Sequence, residues 1–242
     1  MKPYLLLIIA ILITTSCTPD ESKFKSTVPP LEDRVVQSDE PSEINLDVPF
    51  FPQAPDADWG MPWQEACEEA AVLLAYYYVT DQKPTKEKFK SDIQKLVDWQ
   101  IENFGSYEHT NIKQTTEMLN ELKIRNTKSE IRNKNDFRVS NFEFRISEDP
   151  TVGDLKRELA QGNPIIAPFA GRQLSNPFYT GEGPLYHMMV IKGYDEEHFI
   201  TNDVGTKRGH NFIYPYEVIM SAMHEWHDTD INLGAKKVIV LY

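Results

Sequence analysis

The chain has 242 residues, of which 40% are hydrophobic and 11% aromatic, and a formal charge of −12. That length fits one globular domain of ordinary size plus a short N-terminal extension, with enough apolar residues for a real core. The acidity disfavours nucleic acid backbones and anionic lipid as partners.

Met1-Lys2 is a basic start, Leu5 to Ile13 an unbroken apolar run, and Thr14-Thr15-Ser16 a small-residue stretch ending at Cys17. The run is short of the roughly 20 residues a transmembrane helix needs and suits a signal-peptide core. Small residues followed by Cys resemble the lipobox of bacterial lipoproteins, with Thr14 standing where that pattern usually has Leu. The resemblance implies lipidation at Cys17. Residues 18–44 are rich in Ser, Thr, Pro, Asp and Glu, the composition of a flexible spacer. The expected organisation is therefore a signal peptide over 1–17, a linker over 18–44 and a folded domain over 45–242. The domain would be exported to the cell envelope and would meet the membrane only through its N-terminal anchor.

Asn45 to Phe51 alternates as a short strand, limited to an edge by Pro49 and Pro52. A Pro- and Gly-marked loop leads to Trp63–Thr80, where Cys67, Ala70, Ala71, Leu74 and Tyr78 fall on one helical face. Phe89, Ile93, Leu96 and Val97 mark a second helix. Ile112, Thr115, Leu119 and Leu122 mark a third over Thr110–Leu122. Phe142–Ile146 alternates as a strand, and Thr151 to Asp154 reads as a capping box opening a helix that Gly162 closes. Pro164–Ala170 and His187–Tyr194 are compact apolar runs, and His198–Asp203 alternates as a return strand. Tyr216–Trp226 is helical behind Pro215, and Lys237–Tyr242 is a final strand. Helices dominate the first half and antiparallel strands the second, which defines an α+β fold.

If Cys17 is removed or acylated, Cys67 is the one thiol of the domain, and a single leftover thiol in an exported protein invites a reactive role. The attacking form is thiolate, favoured by a helix N-terminus and by a neighbouring imidazolium. Cys67 stands at a helix start. His187 opens a strongly apolar strand, which places an imidazole at the mouth of a cleft. A hairpin turning near Asp195 to Glu197 returns residues 203 to 205 beside 187, so Asp203 can orient the ring, while alternation sends Asn202 to the opposite face. The backbone N–H of Cys67 is free at the helix start, and Gln53 or Gln64 can supply a second oxyanion donor.

The order Val48-Pro49-Phe50-Phe51-Pro52-Gln53, Cys67 on a helix, His187 opening a strand that ends Gly193-Tyr194, then Asn202-Asp203, is similar to the bacteriocin-processing (double-glycine) peptidase-like branch of the papain-like cysteine peptidases. The likeness spans residues 45 to 242. It implies a papain-like fold, with the catalytic helix of the first half packed on the sheet of the second. It also implies Cys67 as nucleophile, His187 as base, Asp203 as orienting group and Gln53 as oxyanion donor. The chain departs from the family where Glu68-Glu69 follow the nucleophile in place of the usual Gly, and in its long Gln-to-Cys loop carrying Asp56, Asp58, Trp59 and Trp63. Acids suit a helix N-terminus but oppose a thiolate.

The function expected on these grounds is an exported thiol peptidase or amidase that acts on a peptide or protein substrate without a cofactor. The rivals are an inactive peptide- or wall-binding module of the same fold and a thiol acyltransferase. His224, His227, Asp228 and Asp230 lack His-Glu-x-x-His spacing and read as a solvated helix end rather than a metal site. His198 and His210 read as exposed, and Gly205–Gly209 lacks the following helix of a phosphate loop.

Overall fold

The computed structural model describes residues 40–132 and 142–242. The expected signal peptide, the lipidation site Cys17 and the linker as far as residue 39 lie outside the described residues. The first element, β1 (Ile44–Asn45), is shorter than the strand expected over Asn45–Phe51. Pro49 and Pro52 have no N–H to give a ladder. The carbonyls of Val48 and Pro49 instead accept from the Asn202 side chain at 3.1 and 3.0 Å.

A 3₁₀ turn, Trp63–Glu65, precedes α1 (Cys67–Val79), so the helix starts at Cys67 rather than at Trp63. Every residue of α1 from Cys67 to Tyr77 is buried, not one face alone. α2 (Lys86–Phe104) buries Phe89, Ile93, Leu96 and Val97, as their spacing predicts, and also Gln100. Thr85 caps it, accepting from Lys88 N at 3.2 Å, a bond of the kind worth about 1 kcal/mol. α3 (Ile112–Arg132) buries Ile112, Thr115, Leu119 and Leu122 and runs well past the expected end.

β2 (Phe144–Glu148) is followed by α4 (Val152–Ala160), opened by the full Thr151–Asp154 capping box. Then come β3 (Ile165–Ala170), β4 (Tyr186–Tyr194), β5 (His198–Asn202), β6 (Phe212–Pro215), α5 (Tyr216–Ala222) and β7 (Lys237–Leu241). β6 is an element the sequence pattern did not reveal. α5 stops short of Trp226 because the chain turns back to the sheet: Met223 bridges Phe169, and His224 N donates to Pro168 O at 3.2 Å.

The sheet runs β2-β7-β3-β4-β5-β6, with β1 added alongside β4, and every pairing is antiparallel. One face carries Ile166, Met188, Val190, Ile239 and Leu241 into a core with α1, α2 and α3. The other carries Ile165, Ala167, Phe169, Met189, Ile191 and Val240 into a core with α4 and α5. Both faces of β3 and β4 are covered, which is why these strands read as unbroken apolar runs rather than as alternation. The fold is α+β, and α1 packs directly on β4. That contact brings the start of the helix to the start of the strand.

Candidate active site

Cys67 is the first residue of α1 and is 6% exposed. Ala66 offers no side-chain cap, and the N–H of Cys67 makes no hydrogen bond among the described residues. The free amides of the next two residues are met by their own carboxylates, Glu68 and Glu69, the placement a helix N-terminus favours.

His187 is the second residue of β4 and is buried among its neighbours. In the β4–β5 pairing Val190 faces Asn202, so continuing the register sets Gly205 opposite His187 and Asp203 beside it. His187 Nε2 meets Asp203 Oδ1 at 2.8 Å, both side chains being sealed from solvent. Asn202 points away, to Val48 O and Pro49 O. Gly205 N donates to Asp203 Oδ1 at 3.0 Å. A Cβ on Gly205 would lie 2.9 Å from His187 Cε1 and 3.1 Å from Tyr179 Cε1, so glycine is what lets this turn close over the ring.

The other oxygen of Asp203 holds three donors: Asn176 Nδ2 at 2.9 Å, Tyr179 Oη at 2.7 Å and Tyr214 Oη at 2.6 Å. Burial alone would raise the Asp203 pKa. The charge and N–H of His187 and the hydroxyls of Tyr214 and Tyr179 outweigh it and hold the group at about 2. An ionised Asp203 accepts from Nε2–H, which leaves Nδ1 as the basic nitrogen of the ring. Nothing in the sequence pattern singles out Asn176, Tyr179, Tyr214 or Gly205 as partners of Asp203. Phenols and an amide announce nothing by spacing; their role exists only once β6 and the loop after β3 fold against Asp203.

Gln53, 3% exposed, sits at the seam between the two halves. Its backbone N donates to Val204 O at 2.9 Å, next to Asp203. Its Nε2 donates to Trp63 O at 3.0 Å and Gln64 O at 2.9 Å, just ahead of Cys67. Oε1 is buried without a partner among the described residues. The alternative donor, Gln64, turns its amide to Glu65 at 3.2 Å on the exposed side.

The Cys67 sulfur is engaged by a carboxylate. Sγ donates to Glu68 Oε2 at 2.9 Å, and no hydrogen bond joins it to His187 among the described residues. Burial pushes the thiol well above its usual range. The charge and hydrogen bond of Glu68 push it further, as does the charge of Glu69, while the backbone N–H of Met188 works the other way. Elsewhere, His224 Nδ1 is engaged by Gly234 O at 2.8 Å and His227 by Thr229 at 3.1 Å. Trp59 and Phe178 are exposed, and Trp63 is half-buried beneath Lys90.

The candidate site thus gathers a cysteine on a helix start, a histidine on the adjoining strand, an acid on one ring nitrogen and a glutamine at the seam. Residues 45–229 match the Peptidase_C39 like family, and the chain belongs to that family. A solved structure described as a C39-like peptidase from Bacillus anthracis is similar in fold, with a TM-score of 0.51 and 14% identity, covering 84% of this chain and 98% of that one. No curated protein matches the chain.

Proposed function

We propose that the protein is an exported thiol peptidase or amidase that cleaves a peptide bond through Cys67, His187 and Asp203. The observation that carries this reading is the sealed 2.8 Å contact between His187 Nε2 and Asp203 Oδ1. It fixes the ring and leaves Nδ1 as the basic nitrogen, on a strand against which α1 packs. His187 takes the Cys67 proton, the thiolate attacks the amide carbonyl, and imidazolium returns the proton to the leaving amine. Water then cleaves the thioester. The Cys67 N–H and a Gln53 amide released from Trp63 O and Gln64 O are the oxyanion donors. Export follows from the basic, apolar and small-residue order of residues 1–17, which puts the substrate outside the cytoplasmic membrane.

A second reading, a peptide-binding module without turnover, is favoured by the engagement of Sγ with Glu68. One experiment separates the two. Incubating the protein with a peptide library from acid to neutral pH and following product masses should give cleavage that Cys67→Ala abolishes and His187→Ala reduces by on the order of 10³-fold or more. Cleavage surviving Cys67→Ala defeats the proposal. Tight peptide binding with no cleavage at any pH establishes the module instead. Adding a primary amine distinguishes acyl transfer by the mass of the product.

A further inference from the structure

The carboxylate nearest the candidate nucleophile takes no part in the chemistry described above. Glu68 is 1% exposed, yet Cys67 Sγ donates to its Oε2 at 2.9 Å. Its Oε1 accepts from Thr110 N at 3.0 Å and Thr110 Oγ1 at 3.5 Å. Thr110 is itself held, since its carbonyl accepts from Tyr186 Oη at 2.8 Å. Glu68 is therefore clamped between the loop ahead of α3 and the start of β4, one residue from His187.

The groups around Glu68 and Glu69 come from five segments. On α1 they are Cys67 and Glu69. From the loop before α3 comes His109, whose charge acts to favour the ionised form of Glu68. From β4 come Tyr186, whose phenol feels the Glu68 charge, and His187 next to it. From the segment after α5 comes Glu225, paired with Lys237 at 3.1 Å and accepting from Ile112 N at 3.1 Å. From α2, Gln100 reaches Glu69 Oε1, while Glu69 Oε2 is buried with no donor among the described residues. Glu68 has donors on both oxygens and Glu69 on one, so the charge of the pair rests on Glu68 and the proton on Glu69.

A charged Glu68 can only accept, and what it accepts from Cys67 is the S–H proton. That bond holds the sulfur as thiol and commits its hydrogen to Glu68. A protonated Glu68 reverses the bond: its O–H donates to sulfur, which then carries the negative charge more readily.

We propose, resting on the Cys67–His187 reading above, that Glu68 is a positioning residue: charged, it locks Cys67 as an unreactive thiol, and protonated, it arms the sulfur for His187. One proton enters from solvent onto Glu68. The thiol proton then passes to His187 Nδ1, leaving thiolate hydrogen-bonded by the carboxylic acid and paired with imidazolium. Burial raises the pKa of Glu68, opposed by the hydrogen bonds from Cys67, its own amide and Thr110. That direction moves the exchange up from the usual carboxylate range toward mildly acid conditions.

The test is the pH profile of Cys67 alkylation by iodoacetamide in the full chain, for the parent, Glu68→Gln and His187→Ala. The parent rate should rise as pH falls from neutral into the range where Glu68 takes up its proton. Glu68→Gln, whose amide can donate to sulfur at every pH, should react about tenfold faster or more than the parent at neutral pH, an effect equal to at least one pKa unit. The two rates should converge in acid. A parent rate that only falls with pH, as for a free thiol, overturns the proposal whether or not the variant folds, and so does a folded Glu68→Gln with the parent's profile. If His187→Ala leaves the parent profile unchanged, the Cys67–His187 reading fails. If His187→Ala slows the reaction while Glu68→Gln changes nothing, only the role of Glu68 falls.

Discussion

Tyr214 donates its hydroxyl to Asp203 Oδ2 at 2.6 Å, on the carboxylate oxygen that does not meet His187. Tyr179 and Asn176 bind the same oxygen. The acid is thus fixed from behind by three donors, and its other oxygen aims at the ring. Replacing it with an amide keeps the size but inverts the chemistry. An amide nitrogen facing the ring would force Nε2 to accept, moving the ring proton to Nδ1, which then cannot take a proton from Cys67. Asp203→Asn is expected to lower kcat/KM by on the order of 10³- to 10⁴-fold, the scale seen when a triad acid is made neutral. Tyr214→Phe leaves two donors in place and should cost far less activity. Its main effect should be a loss of about 2 kcal/mol in unfolding free energy, as for a hydrogen bond to a charged group, measured by urea titration.

Gly205 closes the turn against the imidazole edge. Gly205→Ala puts a Cβ 2.9 Å from His187 Cε1 and 3.3 Å from Asp203 Oδ1, so the ring or the turn must shift. A displacement approaching 1 Å costs about 10²-fold where reacting atoms must be aligned. The expected outcome is a fall of that order in kcat/KM. Far-ultraviolet circular dichroism should match the parent, because the strain falls in a turn rather than in a strand.

The hairpin arithmetic that brings residues 203 to 205 back to 187 was legible in the sequence because strand register is local: one turn, one alternation, one partner. The periodic cores of α2 and α3 and the Thr151–Asp154 cap were legible for the same reason. What was hidden is non-local. α1 reads as amphipathic yet is buried on all sides, because the sheet covers one face while α2 and α3 cover the rest. Tyr214 lies on β6, an element with no alternation to reveal it. The direction of the Cys67 sulfur depends on Thr110, distant in sequence, which positions Glu68. The sequence announced Glu68 and Glu69 as a departure from the family, but their burial came only with the fold.

The buried acids make opposite contributions to stability across pH. Asp203 is held at about 2 in the folded protein, against about 3.9 in an unfolded chain. Its contribution of about 2 kcal/mol is complete above the unfolded value and is lost as pH falls from about 4 toward 2. Glu69 runs the other way. Burial and then the Glu68 charge raise its pKa well above the usual range, so ionisation in the unfolded chain penalises folding as pH rises above about 4. Glu69→Gln should therefore be more stable than the parent at neutral pH, and the difference should shrink as pH falls from neutral toward about 4. Urea unfolding midpoints for both proteins across pH check this; a constant difference would assign the effect to packing rather than ionisation.

Gln53 is the residue whose resting contacts and expected role differ most. Its amide holds the carbonyls of Trp63 and Gln64, and its backbone is pinned to Val204. If the amide turns to an oxyanion during attack, Gln53→Ala removes an interaction made only in the transition state. kcat should then fall by about 10²- to 10³-fold with KM little changed. If the amide serves only to clip the turn ahead of Cys67, the variant should instead lose stability and bind peptide more weakly, with a smaller change in kcat. Gln53→Glu sharpens the contrast. A carboxylate cannot donate to either carbonyl or to an oxyanion, and it adds a negative charge where the tetrahedral intermediate carries its own. The oxyanion role therefore requires its kcat to fall at least as far as that of Gln53→Ala at any pH where the new acid is ionised. Measuring kcat, KM and unfolding free energy for both variants decides between the two roles.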